Sequence, residues 1–280
     1  LIGYRDTEAL TDAGKTVKEF GKRFQELDEI YSSAKLNDVQ TDEFMGLLAK
    51  FGKKDELAAL AAIKLKSYTE ADIINPFNKS VVMAVVSEID SFPATIVLKN
   101  AALVKTAWGM QDFNQYLSES FDLSMQRAAS LRDSVLMEKI AGELVPVYMM
   151  DNPERIPEAK LTTRKIFFSQ TENWNAYIQS VEKYFNEFES GNIRFLYNES
   201  YYIIENQLFN QELLKKSMEW IQKVIAAKPE FDCYFLAAVI STYQENKEAS
   251  REWMSKAENL ATSDDEKASL EELKKYLEAQ

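Results

Sequence analysis

Histidine is absent from these 280 residues, and cysteine occurs once, as Cys233. Without an imidazole, the chain itself cannot supply Ser-His-Asp or Cys-His catalysis, a histidine general base or a histidine metal ligand. A single thiol excludes an intrachain disulfide, a Cys-x-x-Cys redox pair and a thiolate zinc cluster. Its setting, Phe231-Asp232-Cys233-Tyr234-Phe235-Leu236, reads as a small hydrophobe in a core, because a reactive thiol needs a cation or a helix N-terminus to lower its pKa. Glycine and proline are scarce, 8 and 6 residues, roughly 5% together against a usual ~12%. So few turn-formers suit long helices and disfavour a β sandwich or barrel. Positive charge is short too: 33 Lys and Arg face 45 Asp and Glu, a net charge of −12. That balance argues against non-specific binding to nucleic acid or to anionic membranes. No apolar run approaches the ~18 residues of a membrane span; the block Val81-Val82-Met83-Ala84-Val85-Val86 is far too short. No charged-then-apolar leader opens the chain. Starting on Leu1 rather than Met, it is expected to be a processed product or an excised piece.

What the sequence does contain is helical periodicity. Leu10, Ala13, Val17, Phe20, Phe24, Leu27 and Tyr31 step alternately by three and four, one apolar stripe on a long helix over 6–31. Such a stripe serves either a coiled coil or packing against neighbouring helices. Thr41 is the expected N-cap of a second helix carrying Phe44, Leu47, Leu48 and Phe51. An Ala-rich helix follows from Leu57 to Ile63. Asn75-Pro76 and Phe92-Pro93 punctuate the next helices, Gly109 closes another, and Pro146 kinks or ends a later one. The clearest linker is Met150 to Pro157, with two prolines. It divides the chain into an N-terminal helical region, 1–150, and a C-terminal one, 156–280. In the latter, Trp174, Tyr177, Ile178, Val181, Tyr184, Phe185 and Phe188 trace one wide helical face, with Gly191 placed for a left-handed C-cap.

An internal repeat lies near the end. Ser217-Met218-Glu219-Trp220-Ile221-Gln222-Lys223 recurs as Ser250-Arg251-Glu252-Trp253-Met254-Ser255-Lys256. The offset of 33 residues lies next to the 34-residue period of tetratricopeptide repeats. A helical-hairpin unit accounts for it. Ser217 and Ser250 sit where helices cross, Trp220 and Trp253 fill the grooves between hairpins, and Val224 and Ala257 occupy matched packing positions. Pro229 stands where the first copy turns into its next helix, and Thr262 stands there in the second. Neither copy matches the full consensus, so the unit is tetratricopeptide-like. The last helix, opened by Ser263-Asp264-Asp265-Glu266, is expected to cap the stack. The expected fold is all-α: stacked antiparallel helical hairpins, tetratricopeptide-like in the C-terminal half.

Chemical motifs are few. There is no Gly-x-Gly-x-x-Gly fingerprint and no phosphate-binding loop. Ser-x-x-Lys occurs at Ser32/Lys35 and Ser180/Lys183 without the companion motifs of a serine acylase. Acidic pairs such as Glu26/Glu29 and Glu271/Glu272 have the basic neighbours of solvated helix faces. No catalytic residue, metal ligand or cofactor site is assigned. Stacked hairpins do form concave surfaces that hold peptides, and Tyr197, Tyr201, Tyr202, Tyr234 and Tyr243 are the candidates to line one, core packing being the alternative for each.

Several segments resemble a known family. Asn173-Trp174 with Tyr184-Phe185, Tyr201-Tyr202-Ile203-Ile204-Glu205-Asn206, Leu213 to Trp220 and Lys228-Pro229-Glu230-Phe231 resemble the helical C-terminal region of thioredoxin-family proteins from Bacteroidetes. Leu57 to Tyr68 with Asn75-Pro76-Phe77 is similar to an earlier part of that region, and Leu1 to Asp6 to the close of a thioredoxin fold. The resemblance implies an exported, periplasmic or outer-membrane-tethered parent, with this module as the non-catalytic accessory region of a thioredoxin-like thiol-disulfide oxidoreductase. The thioredoxin domain and its Cys-x-x-Cys are missing from the sequence, so no redox residue carries over. The expected activity is binding of a protein or peptide partner. A freestanding adaptor and an all-α enzyme working through carboxylates are the alternatives.

Overall fold

The computed structural model describes residues 7–32 and 36–279, with the side chains of 7–19 and 38 outside the described set. Among the described residues the chain is all-α, without a strand. No described helix is long and apolar enough to cross a membrane. Packing divides the chain into two compact units, Leu1–Ser124 and Met125–Gln280.

The first unit begins with α1 (Thr7–Ser32) and α2 (Asp38–Lys50). The described part of the α1 stripe packs against its neighbour α2. Leu27 is fully buried, the Phe24 ring lies 5.4 Å from Phe44 and 5.1 Å from Phe51, and Tyr31 lies 5.6 Å from Phe44. Leu10, Ala13 and Val17 fall outside the described side chains, as do Leu1 to Asp6 and Lys35. Helix α2 starts earlier than Thr41. Asn37 caps it in a reciprocal box, its Oδ1 accepting from the Gln40 amide (2.9 Å) while Gln40 Oε1 accepts from the Asn37 amide (3.1 Å). Thr41 lies one turn inside and donates to the Asn37 carbonyl. Next come α3 (Lys54–Leu65), α4 (Glu70–Ile74), a 3₁₀ turn at Pro76–Asn78 and α5 (Lys79–Ala84). The small residues of α3 allow it to pack closely on α2 and α5. Then α6 (Phe92–Lys99) is capped by Ser91 with Pro93 in its first turn, and α7 (Ala101–Trp108) ends at Gly109 with φ +86°. Helix α8 (Met110–Leu131) carries the boundary between the units.

The second unit continues with α9 (Ser134–Lys139), a π turn (Ile140–Leu144) and α10 (Val145–Tyr148). The π turn has a local cause. Pro146 has no N–H to give the carbonyl of Gly142, and the wider turn, in which the Val145 amide reaches back to Ile140, absorbs the defect. The sequence division at 150/156 falls inside this unit rather than between units. Residues 150–157 form a tight corner, because α9, α10 and the π turn pack directly on α11 (Ile156–Gln170). From there the helices pair as hairpins: α11 with α12 (Trp174–Phe188), α13 (Ile193–Glu205) with α14 (Gln211–Ala227), and α15 (Phe231–Tyr243) with α16 (Lys247–Glu258). Helix α17 (Asp264–Ala279) covers α15 and α16 with Leu270, Leu273 and Leu277. It begins at Ser263, whose Oγ accepts from the Glu266 amide at 3.1 Å.

One turn design recurs in this unit. At the α8–α9, α11–α12, α13–α14 and α15–α16 connections, a residue with left-handed φ stands just past the helix: Arg132 (+52°), Glu172 (+57°), Gln207 (+56°) and Glu245 (+60°). Each is bracketed by the same two closing hydrogen bonds. At the last turn these run from the Asn246 amide to the Ser241 carbonyl (2.9 Å) and from the Glu245 amide to the Thr242 carbonyl (3.0 Å). An Asp or Asn then caps the next helix: Asp133, Asn173, Asn210 and Asn246.

Candidate functional site

The two similar segments, 217–223 and 250–256, lie on α14 and α16, and burial can be compared position by position. Ser217 and Ser250 are buried, as are Ile221 and Met254 one turn on, and Val224 and Ala257 a turn further. The serines lie at hairpin crossings. Ser200 Oγ of α13 donates to the Ser217 carbonyl of α14 at 3.2 Å, and Ser250 Oγ of α16 donates to the Ala238 carbonyl of α15 at 3.0 Å. The tryptophans part ways. Trp220 is 1% exposed, because α14 has α12, α13 and α15 as neighbours. Trp253 is half-buried under a Lys256 ammonium 4.1 Å from its ring and a stacked Tyr234 at 6.0 Å, because α16 has α15 and α17. Pro229 lies between the end of α14 and the start of α15, where the backbone is extended at Lys228.

The five candidate tyrosines do not converge on one surface. Tyr234 is packed against Trp253. Tyr201 and Tyr202 are exposed on α13, with Tyr197 stacked on Tyr201 at 6.4 Å. Tyr197 lines a cavity of about 270 Å³ with Arg194, Lys228, Asp232 and Cys233. There burial, reinforced by the Asp232 carboxylate, pushes the Tyr197 phenol up to about 12. Burial also raises the Cys233 thiol, so the cysteine is no poised nucleophile. Tyr243 stacks on Phe209 and lines a groove of about 480 Å³ between α15 and α17. Phe235, Val239 and Tyr243 repeat at every fourth residue of α15 to form one wall. Ser269, Glu272, Leu273 and Tyr276 of α17 form the other. This groove combines an apolar floor with a polar rim and is larger than the Tyr197 cavity, so it is the better candidate of the two for a ligand or partner.

A buried charged cluster was not visible in the sequence. The Lys165 ammonium of α11 pairs with Glu199 Oε1 of α13, and the Tyr177 hydroxyl of α12 donates to Glu199 Oε2 at 2.7 Å. Burial, with the Glu199 carboxylate beside it, drives the Tyr177 phenol far above its ordinary value. Glu199 shares its buried face with Leu196, Ser200 and Ile203, the i, i+3, i+4, i+7 positions of α13. That stripe, with an acidic residue in an apolar series, is the signal by which the sequence could have shown it. Each member is satisfied, so the cluster ties three successive helices together and leaves no group free for chemistry.

The remaining features bear on catalysis. Among the described residues no three Cys, Asp or Glu side chains gather to hold a metal ion. Among the described residues, Glu138 beside Arg164, Glu158 beside Tyr184 and Arg155, Glu219 beside Lys216, and Glu70 beside Asn100 and Lys99 are held below the ordinary carboxylate value. A general acid needs the opposite shift. Ser180 donates to its own helix at Ala176 and Lys183 pairs with Glu187, so the Ser-x-x-Lys spacing at that site builds no nucleophile. No protein-family model matches this chain, and no curated protein is significantly similar to it.

Proposed function

We propose that the chain is a non-catalytic helical-repeat module that binds a protein or peptide partner, and that its second unit is a tetratricopeptide-like array presenting the α15–α17 groove. The observation that carries this reading is the recurrence of one hairpin design. Left-handed turn residues lie at 172, 207 and 245, 35 and 38 residues apart, close to the period of such repeats. An array of this kind stacks neighbouring hairpins and offers a continuous face to an extended chain. The residues of the groove supply what peptide recognition uses, aromatic anchors with a few polar groups beside them. The resemblance to thioredoxin-family helical regions extends the proposal: the partner is delivered to, or held near, an upstream thioredoxin-like domain of an exported protein. Reading the coding sequence ahead of Leu1 decides that extension, against the freestanding adaptor.

The binding proposal is tested by panning a random peptide library on the full chain. A consensus with apolar or aromatic anchors should emerge. Affinity for its consensus peptide should fall about tenfold or more in Tyr276→Ala, a change at an exposed groove position that leaves the core intact. Failure to enrich any sequence over an unrelated helical protein, or binding indifferent to Tyr276→Ala and Glu272→Lys alike, overturns it.

A further inference from the structure

Resting on the reading of the α15–α17 groove as the binding face, we propose that its occupant is a basic amphipathic peptide segment. Such a segment carries an apolar anchor close to an arginine or lysine, and Glu272 reads the cation. Phe235, Val239 and Leu273 make the groove apolar, and among the described residues that line it Glu272 alone is charged. Its side chain is exposed, and its carboxylate makes no ion pair or hydrogen bond among the described residues. The other charges of α17 are largely engaged elsewhere. Lys274 pairs with Glu258 at 2.6 Å and Glu271 at 3.1 Å, and Lys267 lies 3.9 Å from Asp264. Glu266 closes the helix start, accepting from the Thr262 and Ser263 amides. Lys275, three residues beyond Glu272, makes no ion pair with it. Glu272 is a free anion at the edge of an apolar trough.

That arrangement selects its occupant. A purely apolar segment would cover the carboxylate and strip its water without replacing it, and an acidic segment would meet like charge. The two helices that form the groove carry seven acidic side chains against three lysines, in a chain of net charge −12. The field at the groove therefore draws cationic segments and repels anionic ones during encounter as well as on contact. Tyr276 lies four residues after Glu272, one turn along the same face of α17, and is 47% exposed. A carboxylate and a phenol ring one turn apart make a seat for a guanidinium or ammonium group, which pairs with the first and lies over the face of the second. The same unit already holds such a contact, the Lys256 ammonium 4.1 Å from the Trp253 ring. Phe209, 37% exposed and stacked 3.9 Å from Tyr243, prolongs the apolar wall, so an anchor side chain has area to cover beside the cation.

Selection of a random peptide library on the full chain, followed by affinity measurements on synthetic copies of the enriched peptides, tests this. The enriched sequences should carry Arg or Lys beside an apolar anchor and lack Asp and Glu there. Glu272→Gln should weaken the best peptide about fivefold to tenfold, and Glu272→Lys about thirtyfold. Glu278→Lys makes the same change of net charge on α17 outside the groove lining, and should alter affinity by less than about twofold. The decisive arm swaps charge on both sides. Replacing the cationic residue of the peptide with Glu should weaken it against the wild type, yet restore binding to Glu272→Lys to within about threefold of the original pair. Unchanged circular-dichroism spectra and melting temperatures guard against a folding defect in the variants. Neutral or acidic peptides that require Tyr276 but ignore Glu272→Lys would overturn this proposal and leave the groove reading standing. Equal losses in Glu272→Lys and Glu278→Lys, or a charge swap that restores nothing, would also overturn it. A library that yields no enriched sequence overturns both readings.

Discussion

The Lys165–Tyr177–Glu199 cluster makes a prediction in which removing more groups costs less stability. Replacing Lys165 with Met leaves the Glu199 side chain, about 10% exposed, with a negative charge and only the Tyr177 hydroxyl to satisfy it. Breaking a fully buried pair costs roughly 3–5 kcal/mol; with Lys165 itself about one-fifth exposed, the cost falls below that range, to about 2–3 kcal/mol. Removing the carboxylate too, as Lys165→Met with Glu199→Leu, abolishes the stranded charge. What remains is the Tyr177 hydroxyl without its acceptor, worth about 1–2 kcal/mol. Adding Tyr177→Phe removes that last donor and should bring the triple variant within about 1 kcal/mol of the wild type, because an apolar cluster of similar volume replaces the charged one. Urea unfolding followed by circular dichroism and by tryptophan fluorescence reads the series, Trp174 lying edge-on to Tyr177 at 6.3 Å. Thermal melts should show the single variant lower by about 4–12 °C, at roughly 2–4 °C per kcal/mol. A steady loss of stability from single to double to triple variant would refute the reasoning, since it would mean that the charged groups stabilise the fold in their own right.

Four further outcomes follow. Glu245→Gly should stabilise by about 0.5–1 kcal/mol, because relief of a left-handed side chain (about 1–2) exceeds the extra unfolded-state freedom of glycine (about 0.5–1). Gly46→Ala, on an open face inside α2, should also stabilise, whereas Gly52→Ala, at φ +68°, should destabilise; melting temperatures check all three signs. Trp220→Ala should cost about 3–5 kcal/mol and Trp253→Ala about 1–2, despite their matched repeat positions, with equal urea midpoints counting against the packing described. The lowered carboxylates set the acid response. A group whose folded pKa is depressed contributes stability fully above its ordinary value, 4.5 for Glu138, Glu158 and Glu219, and loses it as pH falls through the depressed one. The melting temperature should therefore hold between neutral pH and about 5 and drop below 4.5. Arg164→Ala should flatten part of that drop.

Helices were legible where apolar periodicity was long. The Phe20 to Tyr31 stripe and the Trp174 to Phe188 face appear as read, with Leu27, Tyr177 and Val181 buried at their centres. The likeness of 217–223 to 250–256 rests on its tryptophans, whose environments differ. The shared turn geometry was hidden, because Arg132, Glu172, Gln207 and Glu245 fill positions where glycine is the usual signal. Glu172-Asn173 and Glu245-Asn246, one dipeptide 73 residues apart at equivalent turns, were there to be matched. The prolines of 150–157 suggested a boundary, yet proline also suits the first turn of a helix, the use made of Pro153 and Pro157. The groove was only half legible: Tyr243 was among the candidates, whereas Tyr276 and Glu272 enter through the docking of α17 on α15, a long-range contact that no local pattern encodes.

The chain holds one thiol, and it sits at the junction where α14 hands over to α15, closed off from solvent. With Cys233 only 4% exposed, a thiol reagent reaches it slowly while that junction stays packed and faster when it opens, and no second cysteine contributes to the signal. Alkylation of this protein is therefore a stopwatch for a single event, the parting of two successive hairpins, and its rate with and without a partner reports how far binding holds them closed.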